Sequence, residues 1–442
     1  MKDLTKGKPS VLILTFALPI FLANLLQLTY SIVDTRIVGT FLGENMLAAV
    51  GATTTLSNLI IGFLLGLSNG FAIVTAQKFG AKDIRAVKKS FATAIILGVV
   101  TALFITAVGL IFLHPILKFL NIPEELFGES ASYISVIIAG LIATFLYDMC
   151  AAVLRAIGDT ITPLIILAVS VALNVAGDIF FVVVVKAGVR GAAIATVLAQ
   201  LIAFIVCAFY MVRKYDILRL SGADFKNMEG TMVKNMLGGG LSMGFMSSLI
   251  NIGSLTLQTA INKLGQDIIV AHTAARKISE MFMVMFTVFG QTMATYCGQN
   301  IGAGRVDRVK KGIRLSILYT CIWCTLVIVA SYTIGGWLVY LVTGSSNETV
   351  IVNATNYLKF DTLFYYVTAV ICIVRNAMQG LGEHITPLVS SSLEMIGKII
   401  IAATLVPVMG YTGVILAEPI VWFIMVIPLI VKIYRMPVLK NS

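Results

Sequence analysis

Long apolar runs, most of them 20 residues or more, alternate with short polar breaks along almost the whole chain. The runs cover 11–35, 46–74, 90–113, 131–154, 162–185, 190–212, 236–261, 276–298, 313–342, 357–378, 386–408 and 411–433. At about 1.5 Å per residue, a helix of roughly 20 residues crosses the hydrocarbon core of a bilayer. Polar positions rarely alternate with apolar ones inside the runs, which favours helices over the strands of a barrel. The breaks carry glycine and polar residues, as in Gly80-Ala81-Lys82, Gly158-Asp159-Thr160, Gly302-Ala303-Gly304 and Gly344-Ser345-Ser346. The pattern predicts an all-α membrane protein with twelve transmembrane helices.

The longest polar stretch, 213–235, falls between the sixth and seventh runs. Internal repeats make it a linker. Gln77-Lys-Phe-Gly80-Ala81 with Val87-Lys88-Lys89 returns as Gln299-Asn-Ile-Gly302-Ala303 with Val309-Lys310-Lys311, 222 residues later. Gly158-Asp159-Thr-Ile161-Thr162-Pro163-Leu164 returns as Gly382-Glu383-His-Ile385-Thr386-Pro387-Leu388, 224 residues later. Gly188-Val-Arg-Gly191 and Leu42-Gly43 return at Gly410-Tyr-Thr-Gly413 and Leu264-Gly265. The expected organisation is an N-lobe over 1–212, a cytoplasmic linker over 213–235 and a C-lobe over 236–442. A repeat of six spans is even, so both halves share one orientation. Two parallel six-helix bundles around a central cleft suit alternating access.

Composition agrees with this class. Hydrophobic residues make up 58% and charged residues only 12%, against about 25% charged in soluble domains, and the mean hydropathy is +0.96. The net charge of +11 raises the question of nucleic acid. Its distribution answers otherwise, because about three quarters of the Lys and Arg residues fall on one alternating set of loops, as the positive-inside rule requires. Both termini are then cytoplasmic, in a multi-pass protein of the inner or plasma membrane with no nucleic-acid partner. Met1–Lys8 is short and basic and the run after it is too long for a secretory signal, so no cleavable leader is expected. Cys321 and Cys324 form a C-x-x-C inside a span, read as packing and not as a zinc or redox site.

No G-x-x-x-x-G-K-[ST] phosphate loop occurs, and none of His114, His272 and His384 stands in a metalloenzyme arrangement. The chain is therefore read as a secondary transporter and not an enzyme, with no cofactor beyond a coupling ion. Acids inside the apolar runs carry the chemistry, since each costs about 3 kcal/mol to insert. Asn174 and Asp178 are one turn apart on one helix face. Asp34 ends the first span, Asp148 lies in the fourth, and Thr196 adds a hydroxyl in the sixth. Asp148 is equally the partner of Arg155, and Pro19 is either a static kink or a moving hinge in span one. Hard oxygen ligands of this kind suit Na⁺, and the same carboxylates carry protons. The C-terminal half does not repeat the set; its span charges are Glu280, Asp361, Glu394, Lys398 and Glu418, with Glu394 and Lys398 placed to neutralise each other. Met243, Met246, Met281, Phe282 and Met285 are candidates for the apolar wall of a cleft.

Pro19, Val33-Asp34, Gln77-x-x-Gly80-Ala81, Leu154-Arg155-Ala-x-Gly158-Asp159-Thr-x-Thr162-Pro163, Asn174-x-x-x-Asp178 and Gln379-Gly380-x-Gly382 occur in one order along the chain. Their order resembles the multidrug and toxic compound extrusion (MATE) family, and within it the prokaryotic DinF-like branch. The resemblance implies an antiporter that exports organic cations and amphipathic drugs in exchange for H⁺ or Na⁺. It implies a cation site at Asp34, Asn174, Asp178 and Thr196, a monomer in contact with membrane lipid, and protonation linked to bending of span one. Asp148 departs from the carboxamide that the resemblance implies there. The rival reading is a lipid-linked saccharide flippase of related two-lobed build. It requires cationic residues in the cleft to hold pyrophosphate, for which Arg375 and Lys398 are the candidates, whereas the N-half cleft is acidic.

Overall fold

The computed structural model describes residues 2–226, 228–344 and 346–440, which form helices joined by short turns with no strand among them. The chain divides into two compact units: Met1–Leu4 with Leu18–Gly244, and Thr5–Ala17 with Phe245–Ser442. Two of the three boundaries cut through helices. One falls in α1 (Pro9–Leu42), beside Pro19, and the other in α9 (Gly230–Ile261).

The first unit contains most of α1, then α2 (Glu44–Gly80), α3 (Ile84–Ile111), α4 (Leu113–Phe119), α5 (Glu124–Ala139), α6 (Leu141–Ala156), α7 (Ile161–Asp178) and α8 (Gly188–Lys214). Its core joins Leu64, Phe71, Phe145, Tyr147 and Leu154. The polar stretch 213–235 lies within this unit, because Tyr215, Leu218 and Met232 bury their side chains in that core. The second unit contains α10 (Gln266–Gly302), α11 (Val306–Thr343), α12 (Glu348–Leu363), α13 (Tyr365–Gly380), α14 (Ile385–Met409), α15 (Tyr411–Arg435) and the short α16 (Pro437–Lys440). Phe286, Tyr357, Tyr365 and Trp422 anchor its core. Large apolar side chains such as Phe104, Phe209, Leu326 and Val408 are exposed, as expected where the surroundings are hydrocarbon.

Among the described residues nine helices are each long and apolar enough to cross a membrane, and eleven spans result if each of two bent pairs counts as one. The expected span 276–298 lies inside α10, which is long enough at 37 residues but begins with Asp267, Arg276, Lys277 and Glu280. Two spans expected to be straight are broken. That over 131–154 bends by 46° between α5 and α6, and that over 357–378 bends by 53° between α12 and α13. Gly140 stands at the first break, where a Cβ would come within 2.3 Å of Val197, so the close packing there needs a glycine. The stretch 114–130, expected as a loop, is largely α4 and the start of α5. Glu124 and Glu125 occupy the first turn of α5, where acids favour the helix dipole.

Small residues set the packing. The glycine run of α9 is where α9 meets α2: a Cβ on Gly70 would lie 2.5 Å from the Gly239 carbonyl, and one on Gly66 2.5 Å from that of Met243. The repeated Gly-[Asp/Glu]-x-Ile-Thr-Pro block is a helix cap. Asp159 accepts the Thr162 backbone N–H at 3.1 Å and its hydroxyl at 2.7 Å, together with the Tyr215 hydroxyl at 2.6 Å. Glu383 accepts the Thr386 backbone N–H and hydroxyl at 3.1 Å each, and pairs with Lys432 at 2.9 Å. Gly158 and Gly382 precede the caps with φ near +86° and +87°, a conformation that favours glycine.

Burial works against the charge of Asp159, yet the hydrogen bonds from Tyr215 and Thr162 outweigh it and hold the carboxyl below the usual range. Its stabilising contribution is complete above the ordinary carboxylate pKa of about 4 and is lost as pH falls through the lower folded value. Asp159→Ala is expected to cost about 1–2 kcal/mol at neutral pH. Thermal melts in detergent across a pH series should show the gap from wild type closing towards acid; a gap that widens there refutes the capping role.

Candidate functional site

The acids of the first unit are assembled by close contact of α7 and α8. A Cβ on Gly177 would lie 3.1 Å from the Ala195 Cβ, and the Ser170 hydroxyl reaches the Ala199 carbonyl at 3.3 Å. This approach sets Asn174 against Thr196. With the amide oriented to satisfy both of its ends, Asn174 Oδ1 accepts from the Thr196 backbone N–H at 3.0 Å and hydroxyl at 3.2 Å. Its Nδ2 donates to the Tyr30 hydroxyl at 2.7 Å and to Asp178 Oδ2 at 3.1 Å.

Asp178 is fully buried, and its Oδ1 has no hydrogen-bond partner. Asp34 faces it from α1 within hydrogen-bonding reach. Tyr30 and Tyr133 stand close enough to feel both carboxyls. No Asp34–Arg36 ion pair forms among the described residues. Directly after Asp178 the helix widens into a π-helical turn, Ile179–Val184, a local irregularity often found at functional sites. Two carboxyl groups held face to face without a basic partner accommodate one proton or one monovalent cation. The structure therefore brings Asp34, Asn174, Asp178 and Thr196 together and adds Tyr30 and Tyr133, which sequence reasoning missed. Tyr30 lies one turn before Asp34 on α1, and that spacing was the available signal.

Asp148 stands in different company. Arg155 is its charged neighbour, and Arg155 Nη2 donates to Asn69 Oδ1 at 3.1 Å. Pro19 lies inside α1. Met243 packs its backbone on Gly66, Met246 is buried with its sulfur 3.1 Å from Gln379 Nε2, and the Phe282 carbonyl accepts the Trp323 indole N–H at 2.9 Å. Met285 is partly buried and Met281 is 58% exposed.

The second unit treats its charges differently. Lys398 Nζ lies 2.9 Å from Glu394, 3.1 Å from Glu418 and 3.3 Å from the Ser254 hydroxyl. Arg276 reaches the same Glu418 at 3.3 Å. Glu394 and Lys398 thus do not simply neutralise each other; they belong to a four-residue network with Glu418 and Arg276. By its charge alone Arg276 reads as an outer loop residue, at the edge of the span expected over 276–298. It lies ten residues inside α10, which no glycine or proline interrupts from 266 to 289. Both oxygens of the fully buried Asp361 lack a hydrogen-bond partner. The network walls a cavity of about 220 Å³, whose lining also includes Met283, Phe286, Thr368, Arg375 and Trp422. Among the described residues no group of three or more His, Cys, Asp and Glu is arranged to hold a metal ion.

Comparison with known proteins gives this arrangement a family. The MatE family model matches residues 19–180 and 242–404. The chain belongs to the MatE family. Among curated MatE relatives it is similar to the probable multidrug resistance protein YpnP of Bacillus subtilis, 27% identical over 387 residues, with 88% of this chain and 86% of the relative covered. It is also similar to a FAD transporter of Shewanella oneidensis, 22% identical, with 71% of this chain and 70% of the relative covered. Its fold matches the outward-facing structure of a multidrug resistance MATE family transporter, with a TM-score of 0.91 at 21% identity, covering 100% of this chain and 98% of the other. MatE members are multi-pass membrane transporters of small molecules, not enzymes, and need no resident cofactor.

In this MatE chain, Lys398→Met removes the cation shared by two buried carboxylates. Breaking such a pair from one side costs about 3–5 kcal/mol, whereas replacing both partners by apolar residues is close to neutral. Lys398→Met alone should sharply lower the melting temperature in detergent, and Glu394→Leu with Lys398→Met should recover most of the loss. A single variant as stable as wild type contradicts the network.

Proposed function

We propose that the chain is a secondary active antiporter that exports organic cations and amphipathic drugs in exchange for H⁺ or Na⁺ by alternating access. It works as a monomer in the lipid of the plasma membrane, with both termini in the cytoplasm. The coupling site is formed by Asp34, Asn174, Asp178 and Thr196, with Tyr30 as a further ligand. Asp148 is an additional acid of the same unit, and Pro19 is the hinge about which α1 bends as the site fills and empties. Met243, Met246, Met281, Phe282 and Met285 provide apolar contact along the substrate path.

One observation carries this reading: Asp178 is buried against a half-buried Asp34 with no basic partner among the described residues, so the charge of the pair must be met by something that comes and goes. Multidrug relatives such as YpnP agree with it. The flippase reading draws on Lys398 and Arg375. Lys398 is already engaged by two carboxylates, which leaves that reading weaker.

Proteoliposomes loaded with a fluorescent organic cation and subjected to a pH or Na⁺ gradient test the proposal. The wild type should export the dye under at least one gradient. Asp34→Asn and Asp178→Asn should each slow gradient-driven export by about tenfold or more. Normal ion-coupled export by both variants would falsify the site. Competition by a pyrophosphate-linked lipid, with organic cations inert, selects the flippase instead.

A further inference from the structure

The cavity of the second unit presents three cations, of which two are spoken for. Lys398 is held by Glu394 and Glu418, and Arg276 by Glu418. Arg375 on α13 also lines the cavity. Its Nη1 donates to the Ser391 hydroxyl at 3.3 Å, while its Nε is buried and has no partner. A guanidinium is always charged and offers five donors, so an unmet buried N–H on one is costly. Thr368 lies seven residues earlier on the same helix and lines the same cavity. It is 7% exposed, and its hydroxyl is also without a partner. Positions i and i+7 share a helix face, so both unmet donors belong to one wall. Apolar side chains complete the lining: Ile250, Met283, Phe286, Trp422 and Met425.

We propose that this cavity binds the anionic group of an amphiphilic substrate, a carboxylate, sulfonate or phosphate, with Arg375 pairing the charge and Thr368 donating a second hydrogen bond. The two unmet donors match the acceptor oxygens of such a group, and the planar guanidinium fork suits them better than an ammonium does. The apolar wall takes the hydrophobic body of the molecule. Among the lining residues Glu394 and Glu418 balance Lys398 and Arg276, which leaves Arg375 as the surplus charge; Asp361 lies outside the lining, on the Arg276 side of the network. Substrates would then include zwitterions and acids as well as the organic cations of the export reading. The proposal names a substrate class for that reading and rests on it for transport, but binding is measurable without any gradient.

The test uses a rhodamine dye bearing a free carboxylic acid and the ethyl ester of the same dye. The acid is a zwitterion and the ester a cation on one chromophore. Fluorescence anisotropy on the purified full-length protein gives a Kd for each. In Arg375→Gln the preference for acid over ester should fall by about tenfold, and Arg375→Lys should retain part of it. Thr368→Val, nearly isosteric, should lower the same preference several-fold and serves if Arg375→Gln does not fold. The proposal is overturned if the wild type fails to bind the acid, or if the acid-to-ester preference is unchanged in Arg375→Gln, or in Thr368→Val where that variant stands in. Loss of ion-driven export with acid binding intact would overturn the antiport reading and leave this site standing.

Discussion

Charge in hydrocarbon has to be answered, and the cost of leaving it unanswered shapes both units of this protein. An ionisable side chain inside a span costs several kcal/mol unless a partner offsets it. The second unit answers with permanent countercharges: Lys398 between Glu394 and Glu418, and Arg276 on Glu418. An arginine does not lose its proton in a protein, so such a network is fixed. The first unit sets acid against acid, surrounded by an amide and by hydroxyls that stay neutral. Nothing in that group supplies a permanent positive charge. Two carboxyls of this kind respond to a proton or a small cation, whereas the neutralised network does not.

The backbone allows these arrangements only where side chains are small. Asn174 meets Thr196 because Gly177 and Ala195 let α7 and α8 close on each other. Gly140, at the break between α5 and α6, leaves room for Val197. The repeated Gly-[Asp/Glu]-x-Ile-Thr-Pro blocks solve a separate problem. They satisfy the free N–H groups at the starts of α7 and α14 with a carboxylate. That is why the block recurs in both halves while the acids of the spans do not. Any entry of a helix into the membrane needs its cap; only one unit needs facing acids.

The class of protein, the repeat and the shared face of Asn174 and Asp178 were legible in the sequence because each follows from a short period or an offset. Asp34 and Thr196 lie on other helices. Their place inside apolar runs marked them as candidates, but only the resemblance to a family made the four residues one site, since no local period links three separate segments. Arg276 was misplaced because charge alone marked it as a loop residue. The absence of glycine or proline over 266–289 was the stronger signal, and it points to one unbroken helix. The break at Phe364 has neither a glycine nor a proline to announce it. There the bend follows from tertiary packing, as Tyr357, Tyr365 and Trp422 fill one core from both sides of the break, and no pattern along the chain encodes that.

Arg375 and Arg155 show how far residue type alone can carry an assignment. Both are arginines on the second helix of a bent pair, Arg155 on α6 and Arg375 on α13. Their surroundings separate them. Arg155 has Asp148 as a charged neighbour and Asn69 as an acceptor, so an acid of the same unit faces its charge. Arg375 has a serine hydroxyl and an orphaned Nε beside an orphaned threonine in a cavity wall. A met cation stabilises a helix end, whereas an unmet one at the edge of a cavity lowers its free energy only when a ligand supplies the missing acceptor. The chemical difference between the two lies in their neighbours: Asp148 on the same helix and Asn69 from α2 for Arg155, Ser391 from α14 and an open cavity for Arg375.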